Sequence, residues 1–138
     1  METYTLRLTN KLSELDKIRD TLEELAAKWA IPPETGISVN LALEEAFTNI
    51  VNYGYNDNND HEIEMAFTCD YDLLTISITD DGTPYDPTRR PDPDIELSAP
   101  ERPVGGLGVF LIKKIMDDVQ YARNNDKNTL TLKKKLSQ

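Results

Sequence analysis

Two alternating runs, His61 to Cys69 and Leu73 to Thr79, are separated only by Asp70-Tyr71-Asp72. Apolar residues recurring with period two mark a strand that buries one face, and so short a polar link cannot hold a crossover. The pair therefore predicts adjacent antiparallel strands joined as a hairpin. Around it, Tyr4, Leu6 and Leu8 alternate as a first strand, after which Ser13 is placed to cap a helix. Leu15, Ile18, Leu22, Leu25 and Trp29 recur along that helix at helical spacing, a stripe that is core or interface. Pro32-Pro33 closes the connection, and a second helix is expected from about Glu34 or Gly36 to Tyr53, with Leu43, Ala46, Phe47 and Ile50 on one face and Gly54 as terminator. A third, strongly apolar helix starts at Val109. A strand near Val119 to Arg123, a turn at 124–128 and a last strand from Thr129 to Lys135 follow.

At 138 residues the chain suits one domain, residues 1–138, with one core. Its formal net charge of −10 argues against gripping a phosphate backbone, which needs clustered Lys and Arg. No stretch approaches the roughly 20 apolar residues that span a bilayer, and the first residues carry no basic or apolar leader pattern, so no membrane association and a cytoplasmic location are expected. The single Cys69 and single His61 cannot supply a zinc site, and Cys69, alternating with Ile63, Met65 and Phe67, is expected as a buried core thiol. Asn56-Asp57-Asn58-Asn59-Asp60 lacks the glycine and distal glutamate of a calcium loop.

Three clusters carry chemistry. On the second helix Glu45, Asn49 and Asn52 fall within about 60° of one another, at i, i+4 and i+7. A solvated face is the plain explanation, but such a face favours Lys, Glu, Gln or Arg over Thr48, Asn49 and Asn52, which are poor helix formers. An Asn carbonyl suits Mg²⁺, and a Glu one turn earlier is placed to take a proton from a hydroxyl. The second cluster, Asp80-Asp81-Gly82-Thr83-Pro84, reads as an ordinary strand-end turn or as a carboxylate offered to a purine amino group, with Gly82 letting the backbone approach the ring. The third, Gly105-Gly106-Leu107-Gly108-Val109, is a hinge or a set of backbone N–H groups turned toward an anion at a helix start. It fits neither a Walker A loop nor a dinucleotide fingerprint. Between the last two, from Pro84 to Pro103, six prolines and scattered charge predict a long functional loop.

The order of these clusters resembles the GHKL ATPase superfamily of gyrase, heat-shock chaperone, histidine-kinase and mismatch-repair ATPases, and most of all its stand-alone anti-sigma-factor serine/threonine kinases, the RsbW-like group. Glu45-Ala46-Phe47-Thr48-Asn49 matches the N box, Asp80 to Pro87 the G1 box, and Gly105-Gly106-Leu107-Gly108 with Phe110-Leu111-Ile112 the G2 box. The resemblance covers nearly the whole chain. It implies an α/β class, an α+β two-layer sandwich with a mixed, mostly antiparallel sheet covered by helices (the Bergerat ATP-binding fold), and a lid at about 88–104. It implies ATP and Mg²⁺ as cofactors, with Glu45 as general base, Asn49 on the metal, Asp80 on adenine, Gly105, Gly106 and Gly108 on phosphates, and Thr129 helping to seat adenine. Asn52, Tyr53, Gly82, Tyr85, Leu107 and Val109 complete the expected nucleotide site. Tyr53 stands where His is frequent in these kinases, Tyr85 where Phe is, and Pro103-Val104 leads into the glycines.

Gyrase-like and chaperone-like relatives need a further coupling domain, and a sensor histidine kinase needs a helical hairpin bearing its phosphoacceptor, whereas His61 sits at the mouth of a strand. The expected activity is therefore phosphoryl transfer from ATP to a Ser or Thr of an anti-anti-sigma partner, alternating with sequestration of a sigma factor, with a homodimer also implied. The alternatives are a nucleotide-gated binding module that phosphorylates nothing, and an apolar partner-binding domain whose glycine loop is incidental. Arg89, Arg90 and Arg102 are candidates for neutralising phosphate charge.

Overall fold

The structure is a computed structural model that describes residues 2–86, Thr88 and 106–137, with backbone only at 106 and 107. Strand β1 (Glu2–Thr9) leads through a 3-10 turn (Leu12–Glu14) into α1 (Leu15–Trp29) and α2 (Pro33–Tyr53). Then follow β2 (Glu62–Asp70), β3 (Leu73–Asp80), α3 (Gly106–Ile115), β4 (Asp118–Asn124) and β5 (Lys127–Lys135). The five strands form one sheet in the order β1-β2-β3-β5-β4, and every pair is antiparallel. The expected α+β sandwich is present; its sheet is wholly antiparallel rather than mixed.

The predicted hairpin is β2–β3, with Met65 opposite Ile78 and Phe67 opposite Ile76. Alternation places Ile63, Met65, Phe67, Leu74, Ile76 and Ile78 on one face, all fully buried, and β5 adds Leu130 and Leu132. The helices cover that face. Ile18, Leu22 and Leu25 of α1 and Val39, Leu43, Ala46 and Phe47 of α2 are buried in the same cluster, so the α1 stripe is core. Burying this much apolar surface is the main favourable term for a domain of this size.

Helix ends follow local chemistry. Pro33 occupies the first turn of α2, where its fixed φ is pre-organised and its missing N–H costs nothing. Gly54 does end α2, but in the right-handed region (φ −84°); the glycine is required because a Cβ there would lie 2.6 Å from the Ile50 carbonyl oxygen. Ser13 caps nothing: it lies inside the 3-10 turn, and neither that turn nor α1 has a side-chain cap bond, while the Glu14 carboxylate accepts the Thr9 N–H of β1 at 2.9 Å. That bond, aided by Lys17, holds the Glu14 carboxyl below its usual range. The β4–β5 turn narrows to Asn125 and Asp126, both with positive φ, as a two-residue hairpin loop requires. Cys69 shares the core face of β2 but sits at its end, half-buried, with burial raising its thiol, so it is neither fully buried nor an activated nucleophile.

Phe47 is the largest fully buried side chain where α2 meets the sheet. Replacing it with Ala is expected to cost about 3–5 kcal/mol, read as a lower urea midpoint at unchanged m value.

Candidate functional site

A narrow pocket, with an interior volume of about 40 Å³, lies between α2 and the adjoining ends of β3 and β5. Its walls are Ala46, Asn49, Ile50 and Gly54 from α2, Asp80, Thr83 and Tyr85 from β3 and the loop after it, Ile112 from α3, and Tyr121, Asn128 and Leu130 from β4 and β5. Apolar walls with one buried carboxylate suit a flat heterocycle that carries an amino group.

Asp80 is the polar focus, 6% exposed at the last position of β3. Its Oδ1 receives the Gly82 N–H at 2.8 Å and the Asn128 Nδ2–H at 3.0 Å. Both described bonds end on that one oxygen, which leaves Oδ2 as the acceptor for a ligand. Burial pushes the Asp80 carboxyl up, against the lowering effect of its bonds to Asn128 and Gly82. An acid raised by burial subtracts stability as pH rises through its folded value, and a donated N–H from a ligand offsets that cost.

A network fixes the carboxylate. Asn128 also donates to the Thr83 carbonyl at 2.9 Å and accepts the Tyr121 hydroxyl at its Oδ1. The Tyr121 oxygen in turn receives the Tyr85 N–H at 3.3 Å, and Arg123 Nη1 donates to the Gly82 carbonyl at 2.7 Å. Thr83 N–H donates to the Gly54 carbonyl at 2.7 Å, joining the β3 turn to the end of α2. That approach is why residue 82 is glycine: a Cβ would lie 2.4 Å from the Gly54 oxygen.

The other end of the site is where α3 begins. A Cβ on Gly108 would lie 2.8 Å from Glu45 Oε2 and 3.4 Å from Asn49 Nδ2, so the start of α3 is seated directly on these two side chains. A helix start carries backbone N–H groups without intrahelical partners, and these favour a nearby anion. Asn49 supplies a hard oxygen, while no cluster of three or more His, Cys, Asp or Glu among the described residues could hold a metal ion alone. A single such oxygen fits a Mg²⁺ ion that takes its remaining ligands from phosphate and water.

Not every candidate from the sequence lies in this pocket. Asn49, Asp80 and Tyr85 line it, and Gly82 is buried behind it. Asn52 is exposed and Tyr53 is 51% exposed, neither among the lining residues. The pocket stripe of α2 runs through Ala46, Asn49 and Ile50, and the wheel carries Asn52 away from it. Thr129 points to the opposite face of the sheet, 3.3 Å from Thr79 Oγ1, and its neighbour Asn128 faces the pocket instead. Val109 is buried as packing. Gly106 and Leu107 open α3, while Gly105, the side chain of Leu107, Arg89, Arg90, Arg102 and the lid beyond Thr88 lie outside the described residues. Asn128 and Tyr121 were missed, and the signal for Asn128 is its alternation with Leu130 and Leu132.

Residues 8–134 match the model of the histidine kinase-like ATPase domain. The chain is 36% identical to the serine-protein kinase RsbW of Oceanobacillus iheyensis over 74% of its own length and 67% of that protein. It is 32% identical to the serine-protein kinase RsbW of Listeria monocytogenes over 86% and 78%. This chain belongs to the histidine kinase-like ATPase family, in its branch of RsbW serine-protein kinases. The RsbU and RsbW domains of a Mycobacterium tuberculosis protein share the fold over the whole chain, with a TM-score of 0.72 at 16% identity; the chain spans 33% of that structure. The histidine kinase domain of a blue-light-activated Erythrobacter litoralis protein shares it more loosely, at 0.58 and 17% identity over 92% of this chain and 61% of that one.

In this RsbW-family chain Asn128 aims Asp80, so Asn128→Ala is expected to weaken adenosine and ATP binding alike by about 1–3 kcal/mol, roughly 5- to 150-fold in Kd by calorimetry. Thr129→Ala, on the far face, is expected to leave both affinities unchanged.

Proposed function

We propose that this chain is a cytoplasmic protein kinase that transfers the γ-phosphoryl group of ATP to a serine or threonine hydroxyl of an anti-anti-sigma partner, and that it sequesters a sigma factor in a second state. The observation that carries the reading is the spacing of two chemistries along one rigid helix. Gly54 marks the Asp80 end, and Glu45, nine residues earlier, meets Gly108 at the head of α3. At 1.5 Å per residue the two ends are separated by about 14 Å along the axis, so a nucleotide held at Asp80 can extend its phosphates toward Glu45.

Bound Mg-ATP supplies the phosphoryl group, and the ion neutralises charge on it. The chain's own residues do the rest. Asp80 accepts the amino hydrogen of adenine and so fixes the base. Asn49 and the N–H groups at the head of α3 hold the phosphate end in line, and positioning of this kind supplies most of the rate in phosphoryl transfer. As the partner's hydroxyl oxygen bonds to the γ-phosphorus and the bond to the bridging oxygen breaks, Glu45 takes the hydroxyl proton and ADP leaves. Any homodimer uses a surface other than the α1 stripe, which the core of this chain buries. No helix among the described residues is long and apolar enough to cross a membrane.

Incubation with Mg-ATP and the cognate anti-anti-sigma protein is expected to yield phosphoserine or phosphothreonine on that partner. Glu45→Gln should keep nucleotide affinity and slow transfer by about 10²- to 10⁴-fold. Binding without product in the parent protein would leave a nucleotide-gated binding module, and equal losses of affinity and transfer in the variant would remove Glu45 from the role of base.

A further inference from the structure

His61 belongs to none of the three motifs and is the sole histidine of the chain. Its ring lies between two carboxylates. Nε2 is 2.8 Å from Asp57 Oδ1, and Nδ1 is 3.2 Å and 3.4 Å from the two oxygens of Asp81. Ionised carboxylates only accept, and a neutral imidazole carries one N–H, so both sides are hydrogen-bonded only when both ring nitrogens are protonated. The ring also stacks on Tyr55, with centroids 4.2 Å apart and planes 13° from parallel, an arrangement that favours a cation. The main chain of His61 is pinned: its N–H donates to Asn10 Oδ1 at 2.8 Å and its carbonyl accepts the Asn10 N–H at 3.0 Å.

The place of this bridge gives it a consequence for the pocket. Asp81 stands between Asp80 and Gly82, and Tyr55 follows Gly54. The imidazolium therefore ties together from outside the same two segments that the Thr83 N–H to Gly54 bond joins from inside. We propose that His61 is a positioning residue for the adenine end of the pocket: the Asp57–His61–Asp81 bridge holds the Asp80 turn against the end of α2, and loss of the ring's second proton weakens adenine-nucleotide binding. The inference rests on the nucleotide reading of the pocket and adds a pH dependence to it.

The groups that face the ring are Asp57 and Tyr55 from the loop after α2 and Asp81 from the turn after β3. Nearby, Asp60 is engaged by Lys11 at 3.6 Å and Glu62 by Arg7 at 3.8 Å, from β1 and the residues after it. Tyr55 stays a neutral phenol, raised by burial first and then by Asp80, Asp81 and Asp57. The bond to Asp57, opposed by burial and reinforced by Asp81, holds His61 above its ordinary value. The same bond holds Asp57 low. A histidine raised in the folded state contributes stability that is complete below its unfolded pKa and is lost as pH climbs through the folded one. Nucleotide affinity follows the same direction, declining on the alkaline side.

Because the histidine is unique, its ring Cε1–H resonance can be titrated without assignment ambiguity, with and without saturating Mg-ADP. Linkage requires ADP to raise the ring's midpoint by the same factor by which the proton strengthens ADP binding. An upward displacement of about 0.7 to 1 pH unit is expected, equivalent to about five- to tenfold tighter binding by the cationic form. Asp57→Asn should lower the midpoint and carry the alkaline decline of ADP affinity down with it. His61→Gln should bind ADP more weakly at pH 7 and show no such decline between pH 7 and 9. An unchanged midpoint under saturating ADP, or the parent pH profile persisting in His61→Gln, would overturn the bridge while leaving nucleotide binding intact. No ADP binding at any pH would overturn the nucleotide reading and the bridge together. Should His61→Gln fail to fold, the parent titration and Asp57→Asn decide the matter.

Discussion

A carboxylate buried at the end of a central strand is costly unless its surroundings are built for it, and much of this fold reads as the means of holding Asp80. The residue closes β3, and the β3–β5 register sets Asn128 beside it. One Asn128 amide nitrogen then serves both the carboxylate and the Thr83 carbonyl, while Gly82 curls its N–H back to the same oxygen. Satisfying one oxygen and leaving the other free gives the group a direction as well as a partner. Burial still raises its carboxyl. The pocket therefore gains from a ligand that supplies the missing donor, and the readiness to accept one is a property of the whole hydrogen-bonded turn rather than of a single contact.

Helix α2 converts that local recognition into alignment. Its core face, through Val39, Leu43 and Phe47, is locked to the sheet. Its adjacent stripe presents Ala46, Asn49 and Ile50 to the pocket, and Gly54 closes the end against the β3 turn. A helix fixed along its length cannot change the distance between its two functional ends, so Glu45 and Asn49 are delivered to the head of α3 at a set reach from Asp80. Thr48 and Asn49 are weak helix formers, and packing, not propensity, keeps them helical.

What the sequence made legible follows from which physical signals are local. Alternation gave the β2–β3 hairpin, and helical spacing gave the α1 and α2 core stripes, because each is a repeating pattern read within one element. Asn128 escaped because a strand begun at Thr129 leaves it in the turn; in a period-two element, a one-residue choice of boundary decides which face a side chain takes. Asn52 shares a polar arc with Asn49 on the wheel and Tyr53 enters through the family resemblance alone, whereas the pocket stripe runs through Ala46 and Ile50 on the other side of Asn49. Ser13 has the composition of a cap, but a 3-10 turn over Leu12–Glu14 precedes α1 and moves the helix start past it. Tyr121 carried no local signal at all: its role exists only because β4 pairs with β5 and brings its hydroxyl to Asn128.

The charge balance sets a final constraint on how this pocket can hold a polyanion. With a net charge of −10, the chain offers no general attraction to phosphate, and among the described residues that line the pocket there is neither Lys nor Arg. Arg123, the nearest described arginine in the network, already donates to the Gly82 carbonyl at the adenine end. Among the described residues, the favourable potential beyond the adenine end is that of the backbone dipoles at the head of α3, which the Gly108 contact seats on Glu45 and Asn49. Such a site divides its work sharply. The end at Asp80 offers a directed acceptor and apolar walls, while the end at Glu45 and Asn49 offers a helix dipole and oxygen donors. A hydrogen-bonding, apolar subsite and an electrostatic one thus stand at opposite ends of one helix, and different physical forces act at each.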